Sequence, residues 1–396
     1  MTNEQKVLLK LVGSALNGKT IEKTDFESVD WLSVAVESDI QAVLPIAFDA
    51  ASLLKQNISS EVYKLWSDRA VAYLVKNAMV QRSQTDLVKL LDDAGYPYAI
   101  LKGEASAGYY PRPELRTLGD VDFVIDVEQN EVIKKLLCDN GYTSFLEDHE
   151  CHIVFKKPNS HLEMHREISG IPHGEIGEKV REFTKDILNK REKKDGFYAP
   201  EHSHHGLILL LHTQHHLLGE GIGLRHLCDW AAFVNATQKE PFWQEKLLPF
   251  LNEIGLLTLA KTLTKTSAVA FELACPEWAD ADETLCLELI ADVFSGGNFG
   301  RKEGIRSLSG ALISNRGKDP MKSGKWSRLY KVFSDSVKTG HPITKKYPIL
   351  YPIYAVYKAI RFFVLCLLGK KRSLTEISRD IDKRKSIYQR LKIFEV

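Results

Sequence analysis

The spacing of apolar positions divides the chain into three stretches. Up to about residue 95 the pattern is helical. Between Ser59 and Pro97, the residues Val62, Leu65, Ala70, Leu74, Ala78, Leu87 and Leu90 recur at the interval of a helix with one apolar side. Ser59 or Ser60 is placed to cap its start, and Gly95-Tyr96-Pro97 ends it. The period then shortens. "YAILKG" and "VDFVID" read as buried strands, "VEQNEVIKKLLCDNG" as a helix stopped at Gly141, and "CHIVFKKPNSHLEMHREI" as two strands joined at Pro-Asn-Ser. From Gly174 onward the pattern is mostly helical again. These periods predict an α+β protein, with a small mixed-sheet core at residues 96–170 flanked by helical regions at 1–95 and 171–396. Gly, Ser and Lys gather around residues 295–325, which reads as surface loop.

Composition narrows the class. Of 396 residues, 44% are hydrophobic and 27% charged, and the formal net charge is +1. Proteins that grip long nucleic acid through bulk charge are usually strongly basic, so such a partner is not expected. The six cysteines are scattered without a CxxC pair, which predicts neither a zinc ribbon nor a disulfide framework and suits a reducing compartment. The first 20 residues lack the apolar core of a secretion signal. The expected location is the cytoplasm. The segment Tyr347–Arg372 qualifies this. It is apolar and aromatic, but Lys358 and Arg361 interrupt it and Lys370-Lys371-Arg372 close it. It reads as a buried helix, as an interfacial helix with a basic flank giving peripheral membrane contact, or, last, as a true span.

Candidate chemistry centres on "RTLGDVDFVID". Residues two apart in a strand share a side, so Asp120 and Asp122 project together from the start of the second strand. Two adjacent carboxylates repel unless a cation or a proton lies between them. Paired oxygen ligands of this kind suit Mg²⁺ with substrate phosphates, and two such ions can clamp an in-line transfer at phosphorus. Lys102-Gly103 ends the preceding strand and offers positive charge and close backbone approach to an anion. Glu163, on a later strand, is a third carboxylate suited to metal binding or to deprotonating a hydroxyl. Arg116 is suited to a phosphate or to a salt bridge with Asp120 or Glu114.

A second group is histidine-rich. Seven of the 13 histidines lie between residues 202 and 226. His212 and His216 share a helix face at i, i+4, a spacing that can bind a transition metal, but Thr213 follows the first where a zinc peptidase has Glu. They read as packing residues, as contacts to nucleotide or acceptor, or as a metallohydrolase centre. Arg225 and Asp229 are also i, i+4, either an internal ion pair or a phosphate contact.

"LKG", "RTLGDVDFVI" and "LEMH" resemble the nucleotidyltransferase superfamily, and among its members the bacterial uncharacterised nucleotidyltransferase family. Tyr109 or Tyr110, Arg116, Gly119, Asp120, Asp122, Glu163 and His165 fall on its pattern. The resemblance covers residues 96–168, and more weakly "LLLHTQHHLLGEGIGLRHLCDWAAF". It implies that Asp120, Asp122 and Glu163 hold two Mg²⁺ ions and that Glu163 activates a hydroxyl. It further implies that Lys102, Gly103, Arg116, Gly119 and Arg225 bind the nucleotide triphosphate. His165, His212, His216 and Asp229 would lie at the acceptor or support the site. The implied reaction moves a nucleoside monophosphate, most often AMP, from an NTP to a sugar, small molecule, protein or RNA end. Glu104 stands where the superfamily usually has Ser, so the resemblance leaves room for a nucleotide-binding sensor or scaffold with weak catalysis.

Overall fold

The computed structural model describes residues 1–18, 28–146, 151–302, 347–367 and 384–395, with isolated positions at 21, 26, 334, 337 and 343. Most of the loop expected at 295–325, and the end of the 347–372 segment, lie outside the described residues.

Three helices open the chain: α1 (Asn3–Asn17), α2 (Trp31–Ile40) and α3 (Leu44–Ser52). Thr2 and Gln5 form a reciprocal capping box at α1, and Asp30 caps α2, each satisfying amides that the first turn leaves open. The long α4 runs from Ser60 to Asp93, with the Ser59 hydroxyl accepting from the Val62 amide. The helix forms as its spacing predicts, but its buried side is not the predicted one throughout. Leu65 and Leu74 are exposed, while Asn77 is buried. The Asn77 amide group donates to the carbonyls of Glu114 and Arg116 and accepts from the Leu118 amide. A polar side chain wins this inward position because it satisfies three backbone groups of a buried loop.

That loop lies between two strands of a five-stranded sheet. The strands are β1 (Tyr98–Leu101), β2 (Val121–Ile125), β3 (Thr143–Phe145), β4 (His152–Lys157) and β5 (Ser160–His165), in spatial order β1-β2-β5-β4-β3. β2 and β5 pair in parallel, and every other neighbouring pair is antiparallel. The mixed sheet thus has the strands that the short apolar runs predict, with the short β3 as an addition. One face, carrying Ile100, Phe123, Phe155, Leu162 and Met164, packs on Leu87 and Leu91 of α4 and on Ile133 and Leu137 of α6 (Asn130–Asp139), the short α5 (Gly103–Ala107) having followed β1 in the chain.

The opposite face meets the helices after residue 170. These are α7 (Glu175–Thr184), α8 (His202–Leu218), α9 (Leu224–Thr237), α10 (Leu248–Glu253), α11 (Leu257–Phe271) and α12 (Glu283–Gly296), with α13 (Tyr351–Leu367) beyond them. A two-stranded pair, Glu192–Lys193 with Tyr198–Ala199, interrupts the helical run. The apolar residues of α1 and α3 join those of α8, α9, α11 and α12 in one continuous core, which also takes in Ala99, Leu101 and Val124 of the sheet. Gly13 on α1 sits where an added Cβ would meet the Phe271 carbonyl oxygen at 2.4 Å, so α1 and α11 are in direct backbone contact there. Among the described residues, no helix is long and apolar enough to cross a membrane.

Candidate active site

The parallel pairing of β2 and β5 sets Asp122 directly opposite Glu163. Asp120 stands two residues before Asp122, just ahead of the strand. Alternation along β5 puts His161, Glu163 and His165 on one side, and the β4 register sets His152 opposite His165. The three carboxylates therefore meet at one end of the sheet.

Their partners differ. Asp122 is buried and doubly engaged: Lys102 Nζ lies 2.9 Å from its Oδ1 and His165 Nε2 lies 2.8 Å from the same oxygen. Burial pushes its pKa up, but Lys102 and His165 outweigh burial and hold Asp122 below the ordinary carboxylate range. Asp120 is half-buried and, among the described residues, has no hydrogen bond or ion pair. Burial and the neighbouring Asp122 raise its pKa. Among the described residues, the cationic-capable nitrogens within 4 Å of Glu163 are those of histidines, at 3.8 Å (His152) and 3.9 Å (His161 and His165). Burial, then Asp122 and Asp120, push Glu163 up to about 7. Negative charge is thus crowded here beyond what the protein's own cations neutralise, as at a cation seat.

The three carboxylates supply oxygen donors of the kind a hard divalent ion takes, while the histidines around them offer nitrogen. Ligand atoms of Asp120, His161 and Glu163 lie within 4.8 Å of one another, as do those of His152, Glu163 and His165. Asp122, opposite Glu163 in the register of β2 and β5, places its carboxylate beside them. His161 and His152 escaped the motif reading, although the alternation in "HLEMH" signals that His161 shares a side with Glu163.

The turn at Lys102-Gly103 delivers the lysine. Both residues take positive φ, 48° at Lys102 and 41° at Gly103. For lysine this is an uncommon backbone state that persists only where surroundings enforce it. It aims the side chain at Asp122 on one side and at His212 Nδ1, 3.5 Å away, on the other. Glu104 turns aside, accepting from Gln81 Nε2 at 2.7 Å. Gly119 has open space around it.

Arg116 and Arg225 take positions that the sequence left open. Arg116 pairs with neither Asp120 nor Glu114. Its guanidinium is buried and bidentate on Asp229, with Nε–Oδ1 and Nη2–Oδ2 both 2.7 Å, and the Tyr110 hydroxyl donates to the same carboxylate at 2.6 Å. Its fork is taken up by Asp229 and not held open for a phosphate. With Asp229 so engaged, the i, i+4 ion pair from Arg225 does not form. Among the described residues Arg225 has no ion pair, and its buried Nε has no hydrogen-bond partner. Its guanidinium lies over the Phe299 ring at 5.4 Å. Burial, then the charge of Arg116, lower its pKa, while Asp229 and Asp120 raise it.

The histidines of α8 approach the same place. His212, His216 and His226 bring ligand atoms within 4.8 Å of one another. Lysine only donates, so His212 Nδ1 accepts from Lys102. His226 Nδ1 accepts from the Gly223 amide at 3.3 Å. In their neutral forms both rings, with these partners, carry the proton on Nε2 and present donors there. Burial, with Lys102 and Arg225 nearby, holds both rings well below the ordinary histidine pKa. Asn77, like His152 and His161, is a contributor that no sequence motif marked.

The sequence profile described as uncharacterised nucleotidyltransferase matches residues 27–271, from before α2 to the end of α11. No curated protein matches the chain. The matched stretch contains the whole five-stranded sheet, the three carboxylates, Lys102, Arg225 and the histidines of α8 and α9, and covers more than half of the 396 residues. On that span the chain belongs to the uncharacterised nucleotidyltransferase family.

Proposed function

We propose that this protein transfers a nucleoside monophosphate, with AMP as first candidate, from an NTP to a hydroxyl-bearing acceptor, with Mg²⁺ as cofactor. The observation that carries the proposal is the register of β2 and β5, which gathers Asp120, Asp122 and Glu163 and leaves Asp120 without a partner. Family membership supports nucleotidyl transfer in general.

Asp120, Asp122 and Glu163 would hold the Mg²⁺, with His161 beside them. Bound Mg²⁺ supplies charge neutralisation for the triphosphate and the pentavalent transition state. The rest falls to the chain. Lys102 exchanges Asp122 for phosphate oxygens, and Arg225 and the Nε2–H groups of His212 and His226 donate to the outer phosphates. This replaces the hydroxyl that the superfamily's Ser would contribute at position 104. Glu163 takes the proton from the acceptor hydroxyl. The acceptor oxygen bonds to the α-phosphorus, the bond from that phosphorus to the β-phosphate bridge breaks, and pyrophosphate leaves.

Calorimetric titration of ATP, GTP, CTP and UTP with Mg²⁺ tests the reading without knowledge of the acceptor. Binding of one nucleotide that needs Mg²⁺ and is lost in the Asp120→Asn, Asp122→Asn double variant is the expected result. Absence of binding by all four overturns it. Binding that persists in the double variant, without pyrophosphate release by the wild type, would instead favour a sensor. Stoichiometric zinc or iron in purified protein would favour the histidine-centred hydrolase.

A further inference from the structure

The outer face of α4 takes no part in the site, and its middle is apolar. Leu65, Val71, Leu74, Val75 and Met79 are 38–57% exposed, and Ala72 and Ala78 among them are exposed as well. At 3.6 residues per turn, Val71, Ala72, Ala78 and Met79 all point within about 60° of Val75. At one end the patch borders a groove of about 630 Å³ between α2 and α4, lined by Val36 and Leu65. Single apolar residues on a surface are ordinary, but a contiguous patch marks a contact site.

The charges beyond the patch identify what covers it. Glu61, Lys64 and Asp68 precede it, and Arg82, Asp86 and Lys89 follow it. Glu61, Asp68, Val75, Arg82 and Lys89 recur every seven residues, a spacing that keeps them on one side of the helix. Lys64 and Asp86 lie on that side too. The six charges cancel, so this face offers little to an anionic membrane or to nucleic acid. Their order is instead self-complementary. Asp68 and Arg82 are each 7 residues from Val75, Lys64 and Asp86 each 11, and Glu61 and Lys89 each 14. At every distance the two signs are opposite. Two copies of α4 laid antiparallel about a two-fold axis at Val75 therefore set Asp68 against Arg82, Lys64 against Asp86 and Glu61 against Lys89. Each pairing occurs twice, as a two-fold contact requires. Val71 and Ala72 meet Met79 and Ala78 between them. A parallel arrangement would set every charge against itself. Within one helix Lys64 already pairs with Asp68, and Arg82 with Asp86. The antiparallel contact joins these pairs into alternating groups of four charges and breaks neither.

We propose that this protein forms a two-fold dimer through the outer face of α4, antiparallel and centred on Val75. The dimer is independent of the reaction assigned to the sheet.

Sedimentation equilibrium of the full chain tests it. The wild type is expected to reach the mass of two chains at micromolar concentration, and to associate less tightly as salt rises. Val75→Glu sets like charges against each other on the axis and should leave monomer. Because Val75 is exposed, helix content by circular dichroism should stay that of the wild type. Asp68→Arg should raise the dissociation constant roughly tenfold, since each lost pair counts twice in the dimer. Adding Arg82→Asp to that variant should restore the wild-type value, which a merely sticky surface would not do. A wild type that stays monomeric as concentration rises, a dimer unmoved by Val75→Glu, or a loss in Asp68→Arg that Arg82→Asp does not reverse would each overturn the inference. So would a monomer that sediments with vesicles of phosphatidylcholine and phosphatidylglycerol and is released by Val75→Glu, a result that would assign the patch to lipid.

Discussion

The Arg116–Asp229 pair offers the sharpest test of how this site is supported. Both side chains are buried, at 5% and 7% exposure, and joined by two bonds of 2.7 Å. Asp229→Asn keeps the volume and removes the charge, leaving a buried guanidinium against a neutral amide. Breaking one side of such a pair costs about 3–5 kcal/mol. For a chain of this size, at about 2 °C per kcal/mol, the melting temperature should fall by roughly 6–10 °C. Arg116→Met should cost a similar amount. The double variant Arg116→Met, Asp229→Leu removes both charges and with them the penalty of an unpaired ion, so its cost should fall well below the sum of the singles. The Tyr110 hydroxyl loses its acceptor in that background, and adding Tyr110→Phe should recover about 1 kcal/mol or more. Thermal or urea unfolding of the wild type, Arg116→Met, Asp229→Leu and the double variant reads the cycle. The reasoning fails if Asp229→Asn costs less than about 1 kcal/mol or if the two single costs simply add. A direct phosphate role for Arg116 would appear differently, as a raised KM in Arg116→Lys with unchanged melting.

Other expectations follow from the same geometry. Arg225→Met should weaken NTP binding by roughly 10- to 100-fold while leaving stability equal or higher, because it removes a largely desolvated charge that has no ion pair among the described residues; calorimetry and melting separate the two effects. Glu163→Gln should lower turnover about 10²–10⁴-fold. The same change should stabilise the metal-free protein at high pH. Its folded pKa, raised to about 7, lies above the unfolded value, so the ionised form carries a penalty that grows from about pH 4.5 and is complete above about pH 7. The gain, of order 2 kcal/mol at pH 8, should vanish in melts near pH 4.5. Asn77→Ala should cost about 2–4 kcal/mol and speed hydrogen exchange at the Leu118 amide, which loses its acceptor. Acid should unfold the protein steeply. His205 (held down to about 3), His212 and His226 are buried neutral, so their stabilisation is complete above about pH 6.5 and is lost as pH falls below it. Each adds about 1.4 kcal/mol per pH unit to the loss, and a flat melting temperature between about pH 6.5 and pH 5 would contradict the buried neutral state.

Period alone settled much of this molecule. The change from helical spacing to short apolar runs and back located the sheet and its flanking helices, because side chains at 3.6- and 2-residue repeats must share one side to be buried. Local chemistry marked Asp120, Asp122, Glu163 and Lys102, since paired carboxylates beside a Lys-Gly turn have few uses. Tertiary structure decided what depends on residues distant in sequence. Which carboxylate pairs with which strand neighbour follows from the parallel register of β2 and β5. Asp229 had two candidate partners, and burial gave it Arg116, 113 positions away, over Arg225, four positions away. A bidentate bond in a dry core outweighs an i, i+4 contact worth tenths of a kcal/mol. The inward turn of Asn77 and the donor tautomers of His212 and His226 were likewise fixed by backbone groups and a lysine that only the fold brings near.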